Sequence, residues 1–111
     1  MSAKDKYQKI VKRILREVAG MMPTDENVRT ELIFDDAQGH YQLGQVGWEG
    51  KRRVDSVFLH VDVCDGKIWV QHDGTNLGIA EEMVRAGVPK DHIVLAFRHP
   101  SRRPDTEYAV A

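Results

Sequence analysis

The 111-residue chain contains a single cysteine, Cys64. An intrachain disulfide framework and a zinc site built from cysteines alone are therefore excluded, and a reducing cytoplasmic setting is expected. Long apolar runs are also missing: nothing approaches the roughly 20 residues needed to span a bilayer. The opening MSAKDKYQKI lacks the apolar centre of a signal peptide, so neither secretion nor membrane insertion is expected. Charge of one sign is not in excess. Lys and Arg number 16 against 17 Asp and Glu, a formal net charge of −1, which removes a chain-wide attraction to nucleic acid and leaves only local basic clusters. The glycine-rich dinucleotide fingerprint and the P-loop pattern do not occur. Ser56 lies in no nucleophile elbow, and no internal repeat or low-complexity segment is present.

What is there suits one globular domain over residues 1–111: 41% hydrophobic residues with 30% charged, enough for one core and too little for two. The most informative stretch is Arg53 to Asp73, RVDSVFLHVDVCDGKIWVQHD. Asp65-Gly66 separates two β-rich runs, and both residues tolerate the positive φ of a type I′ turn. A two-residue loop there sets Cys64 opposite Lys67, Val63 opposite Ile68, Asp62 opposite Trp69, Val61 opposite Val70 and Leu59 opposite His72. With a period of two, Val57, Leu59, Val61, Val63, Ile68 and Val70 share a core face. Phe58, His60, Asp62, Cys64, Lys67, Trp69 and Gln71 share the other, which is too mixed for a core and too apolar for an ordinary wet surface.

Before this hairpin, Tyr7, Ile10, Val11, Ile14, Leu15 and Val18 recur at helical spacing, predicting an amphipathic helix from Lys4 to Ala19 with a lysine-rich outer face that reads as solvated. Val28 to Phe34 and His40 to Trp48 predict strands. Gly44 and Gly47 in the second suggest a bulge or a close backbone approach, and Glu49-Gly50 is the expected turn into the central strand. After His72-Asp73-Gly74 the spacing of Leu77, Ala80, Met83 and Val84 predicts a short second helix. Thr75 or Asn76 would cap it and Gly87 would terminate it. Ile93 to Phe97 reads as a buried extended segment, Arg98 to Asp105 as an irregular basic tail, and Tyr108 to Ala111 as a docking last strand. The expected fold is α+β: an N-terminal helix, an antiparallel meander sheet of four to six strands, and a second helix packed on the same sheet face as the first.

Chemistry is sparse. His60, Asp62 and Cys64 alternate along one strand, but they form a line instead of converging. Their partners Gln71, Trp69 and Lys67 add no further ligand, so no metal or cofactor is expected. Lys67 opposite Cys64 could lower the thiol pKa, yet a lone strand cysteine is more often inert packing. Two basic clusters remain: Lys51, Arg52 and Arg53 beside Trp48, and Arg98, Arg102 and Arg103 in the tail. Arg and Trp together are typical of protein interfaces, and such clusters also occur on nucleic-acid surfaces.

The runs HYQLGQVGWEGKRR (His40 to Arg53), LHVDVCDGKIWVQHDGT (Leu59 to Thr75) and IAEEMVRAGVPKDHIVLAF (Ile79 to Phe97), with the terminal YAVA, resemble the XisI-like proteins. These are the small cyanobacterial excision controlling factors associated with the fdxN element. The resemblance implies a regulatory role in excision of a DNA element during heterocyst differentiation, beside a separate recombinase and a nuclease-like companion of the XisH type. It assigns no catalytic residue. The expectation is a non-catalytic adaptor whose interface comprises Trp48, Lys51, Arg52, Arg53, Phe58, His60, Trp69, Arg102 and Arg103. Direct DNA binding through the basic loop and tail, a small enzyme using Cys64 or His60, and a homo-oligomer formed through the same face are the alternatives.

Overall fold

A computed structural model of the chain describes residues 2–111. Helix α1 (Ala3–Met21) is followed by strands β1 (Val28–Asp35), β2 (His40–Glu49), β3 (Arg52–Cys64) and β4 (Lys67–Asp73), helix α2 (Ile79–Arg85) and the short strand β5 (Ile93–Leu95). The five strands form one sheet in the order β1-β2-β3-β4-β5. The first four pair antiparallel, as neighbours in sequence do when joined by tight turns. Strand β5 departs from the expected meander: it runs parallel to β4, because the intervening α2 carries the chain back to the level at which β4 begins. Among the described residues no helix is long and apolar enough to cross a membrane.

Local chemistry accounts for the ends of these elements. The Ser2 hydroxyl accepts the Asp5 N–H at 3.1 Å and caps α1. Asp65 and Gly66 both have positive φ, 53° and 75°, as the type I′ turn requires. The turn into β3 is Gly50-Lys51, one residue later than expected, since Glu49 pairs with Arg52 and Gly50 takes φ 64°. Leu77 lies outside α2, and neither Thr75 nor Asn76 caps it. Asp73 does so instead: its Oδ2 accepts the Ile79 N–H at 3.0 Å while its Oδ1 holds Thr75. At the far end, Gly87 N–H donates to the Val84 carbonyl and Val88 N–H to Met83, the Schellman arrangement. Tyr108 to Ala111 docks without becoming a strand, through a single bridge between Ala109 and Val94.

Both helices pack on one face of the sheet. Val11, Ile14 and Leu15 of α1 and Met83 of α2 meet Tyr41, Leu43, Leu59, Val61, Ile68 and Val70, all buried. Each such side chain contributes about 1.5–3 kcal/mol by leaving water. Val57 is not in this layer; it is 46% exposed. The cause is a bulge in β3, where Leu43 pairs with Leu59 and Gly44 with Val57, leaving Phe58 as the extra residue. Gly44 permits it, since a Cβ there would lie 2.6 Å from the Ser56 carbonyl oxygen. A second bulge leaves Gln71 unpaired in β4, so Leu59 faces Asp73 instead of His72.

Two outcomes follow for stability. Val61→Asp places an unpaired charge in the driest part of this layer and is expected to cost more than about 4 kcal/mol; chemical denaturation followed by circular dichroism measures it. Asp36 ties α1 to the β1–β2 turn, accepting from Lys12 Nζ at 2.8 Å and Tyr41 Oη at 2.7 Å. The Lys12 hydrogen bond first, and the Tyr41 hydrogen bond second, hold the Asp36 carboxyl below its ordinary value of 3.8. A carboxyl depressed by folding stabilises the native state above its unfolded pKa, and that contribution is lost as pH falls through the folded value. The stability difference between the parent and Asp36→Asn is therefore expected to be full at neutral pH and to shrink below pH 3.8, as read from urea midpoints across an acid series.

Candidate interaction face

The sheet face turned away from the helices is covered unevenly. Over β4 lies the chain's C-terminal segment. Arg103, in a short 3-10 turn over Pro100–Asp105, places its guanidinium 5.9 Å from the centre of the Trp69 ring. It donates to the backbone carbonyls of Ala96, Arg98 and Val110. Trp69 is thus roofed by this segment, and its indole N–H is shut off from solvent. Lys67, on the same edge, donates to the Ala111 carbonyl. The expectation of an exposed Phe58–Trp69 patch is therefore corrected on both sides. Phe58, as the bulge residue, lines an apolar groove of 410 Å³ at the end of α1, with Val18, Met21, Met22 and Leu77.

Among the described residues nothing covers this face over β1 to β3. Ile33 (57% exposed), Trp48 (51%) and Val57 (46%) stand open there, and Ile33 and Val57 lie with Glu31, Gln42 and Val46 in a shallow depression. The Arg53 guanidinium stacks 5.3 Å from the Trp48 ring centre and donates to the Gly47 carbonyl. Arg52 pairs with Glu49 at 3.0 Å, and Lys51 stands exposed at the turn tip. Arg102 is exposed on the C-terminal segment, away from the β2–β3 turn in sequence and on a separate loop. In the two basic clusters Arg52 is thus paired with a carboxylate and Arg103 has its guanidinium N–H groups on backbone carbonyls.

Where the open face borders β4, the side chains of His40, His60 and Asp62 converge. His40 on β2 is paired directly with Asp62 on β3. Its Nδ1 donates to Asp62 Oδ1 at 2.8 Å, and His60 Nε2 donates to the same oxygen at 3.0 Å. Gln71 Nε2 donates to Asp62 Oδ2 at 3.1 Å. The hydrogen bond to Asp62, then its charge, raises the His40 pKa above the usual 6.5. Convergence was not expected from β3 alone, and His40 is the residue that supplies it. Cys64 is exposed, and the nearby Asp65 carboxylate raises its pKa, so Lys67 does not activate it.

The XisI protein family matches residues 1–110. The chain belongs to the XisI family. The crystal structure of a XisI-like protein from Anabaena variabilis is 42% identical, with a TM-score of 0.94 over 97% of this chain and 99% of that one. That of the fdxN element excision controlling factor XisI, also from Anabaena variabilis, is 35% identical, with a TM-score of 0.88 over 99% of this chain and 100% of that one. No curated protein matches the chain.

For this XisI-family chain, Arg103 acts as the clamp that keeps Trp69 dry. In a Trp48→Phe background, where Trp69 is the sole emitter, Arg103→Ala is expected to shift tryptophan fluorescence to the red and to lower stability by about 1–3 kcal/mol. Emission spectra and thermal unfolding of the pair provide the check.

Proposed function

We propose that this chain is a non-catalytic regulatory subunit in the excision of a DNA element, and that it binds a nuclease-like partner protein of the XisH type through the uncovered β1–β3 face. The regulatory assignment draws on the full-length likeness to the excision controlling factor at 35% identity. One observation carries the location: Ile33 and Val57 line a depression on the uncovered sheet face, and Trp48 stands exposed on the same face towards the β2–β3 turn. Exposed apolar side chains gathered on one face mark interaction sites, and Trp beside Arg is the usual anchor pair. A non-catalytic role accords with a Cys64 thiol whose pKa is raised by Asp65, which keeps it protonated and weakly nucleophilic at neutral pH. Direct DNA binding has less support, because Arg52 stands beside the Glu49 carboxylate and the Arg103 N–H donors are taken by backbone carbonyls.

The test is capture of a co-expressed XisH-type protein by the parent and by Trp48→Ala and Val57→Asp. Both variants are expected to keep the parent's circular dichroism and to lose about 2 kcal/mol of binding, roughly thirtyfold in affinity. Complex formation is expected to change little between low and moderate salt. Folded variants that still capture the partner overturn the location. A steep loss of binding to bare duplex DNA with rising salt, in place of partner capture, would assign the function to DNA contact. Self-association that Trp48→Ala abolishes, without any partner capture, would assign the face to a second copy of the chain.

A further inference from the structure

We propose that His40, His60 and Asp62 form a binding site for a divalent transition-metal ion of the zinc type, held by two imidazole nitrogens and one carboxylate oxygen. The three donor atoms lie within 4.8 Å of one another. A tetrahedral zinc ion with bonds of about 2.0–2.2 Å needs its ligand atoms about 3.3 Å apart. The present separations from Asp62 Oδ1 are 2.8 Å to His40 Nδ1 and 3.0 Å to His60 Nε2, so the two contacts need open by only a few tenths of an ångström. The ion replaces the N–H hydrogens that now point at Asp62. A neutral ring carries its proton on the outer nitrogen instead, and a protonated ring releases one proton to solvent.

Three further features suit this use. The donors sit on neighbouring strands and one sheet face, His40 directly across from Asp62 and His60 two residues before it, so the backbone fixes their spacing before any ion arrives. Gln71 holds the second carboxylate oxygen at 3.1 Å, which leaves Asp62 Oδ1 as a single, oriented donor in the manner of an outer-shell partner. The side chains of His40, His60 and Asp62 are 51%, 32% and 16% exposed, so the remaining coordination positions open to water. Two imidazoles with one carboxylate favour zinc, nickel or copper over magnesium and calcium, which prefer oxygen-only shells. Mutual hydrogen bonding alone also satisfies these three side chains, and the experiment separates that state from metal binding. The inference is independent of any partner protein.

The experiment is isothermal titration of the tag-free full chain with Zn²⁺ alone. One saturable equivalent per chain is expected, with no competition from millimolar-scale Mg²⁺. His40→Ala, His60→Ala and Asp62→Ala are each expected to weaken binding at least about tenfold, with unchanged circular dichroism, while His72→Ala, His99→Ala and Cys64→Ser bind like the parent. A second measurement needs no variant. In the parent protein, NMR ring signals of His40 and His60 are expected to move on Zn²⁺ addition, and those of His72, His92 and His99 to stay. Absence of a saturable equivalent, undiminished binding by the three cluster variants, loss confined to Cys64→Ser, or ring shifts outside the cluster would each overturn the site.

Discussion

One helix has to dry one face of a five-stranded sheet, and that geometric demand shapes the whole molecule. Helix α1 has 19 residues and so runs about 28 Å, while five strands side by side span about 19 Å between the outer two. A helix of about 10 Å diameter cannot shield that width alone. Its stripe of Val11, Ile14 and Leu15 settles over β1, β2 and β3 and only skirts β4, packing on the wholly buried Leu43, Leu59, Val61, Ile68 and Val70. The short α2 adds Ile79 and Met83 where α1 does not reach. The edge strand still stays partly wet: Leu32 on β1 is 38% exposed although it faces the helix side.

The opposite face receives the rest of the chain. The crossover through α2 returns β5 parallel to β4, and this directs the following residues across the back of β4. Arg103 then stacks over Trp69, and the Ala109 N–H donates to the Ile93 carbonyl at 2.8 Å. The open area with Ile33, Trp48 and Val57 is thus a product of topology, and the polar triad of His40, His60 and Asp62 lies between the roofed and unroofed parts. The proposed partner surface and the proposed ion site share this one strip of sheet because it is where the backbone is rigid and the side chains remain free.

Much of this was legible in the residues. The type I′ turn at Asp65-Gly66 is a local matter of positive φ, and it fixed the pairing of Cys64 with Lys67 through Val61 with Val70 as expected. Helical spacing in α1 and the Gly87 terminus were equally local. The bulges were not, because they depend on a second strand: Gly44 suggested one, but its effect on Val57 and Phe58 becomes visible only against the Ser56 carbonyl that it approaches. The same bulge hid His40. Carrying the Glu49–Arg52 register straight on would set His40 opposite Val61, on the core side, whereas the extra residue brings it opposite Asp62. Trp69 was misjudged for a different reason. Its cover comes from Arg103, 34 positions along the chain, and no periodicity announces a contact made by an irregular tail.

The bulge at Phe58 also bears on how such a chain can change in length. Strand β3 keeps Val54 inward and Asp55 outward on one side of it, with Leu59 inward on the other. Take Phe58 away and the alternation from Val54 through Val57 to Leu59 is unbroken, with every remaining side chain still on its present face. The same holds for Gln71, since Val70 and Asp73 point inward with or without it. A deletion within a strand ordinarily turns one half of that strand inside out. Here the sheet has two positions at which a codon can be gained or lost without inverting the residues on either side, so β3 and β4 can vary in length while the pattern that holds α1 stays intact.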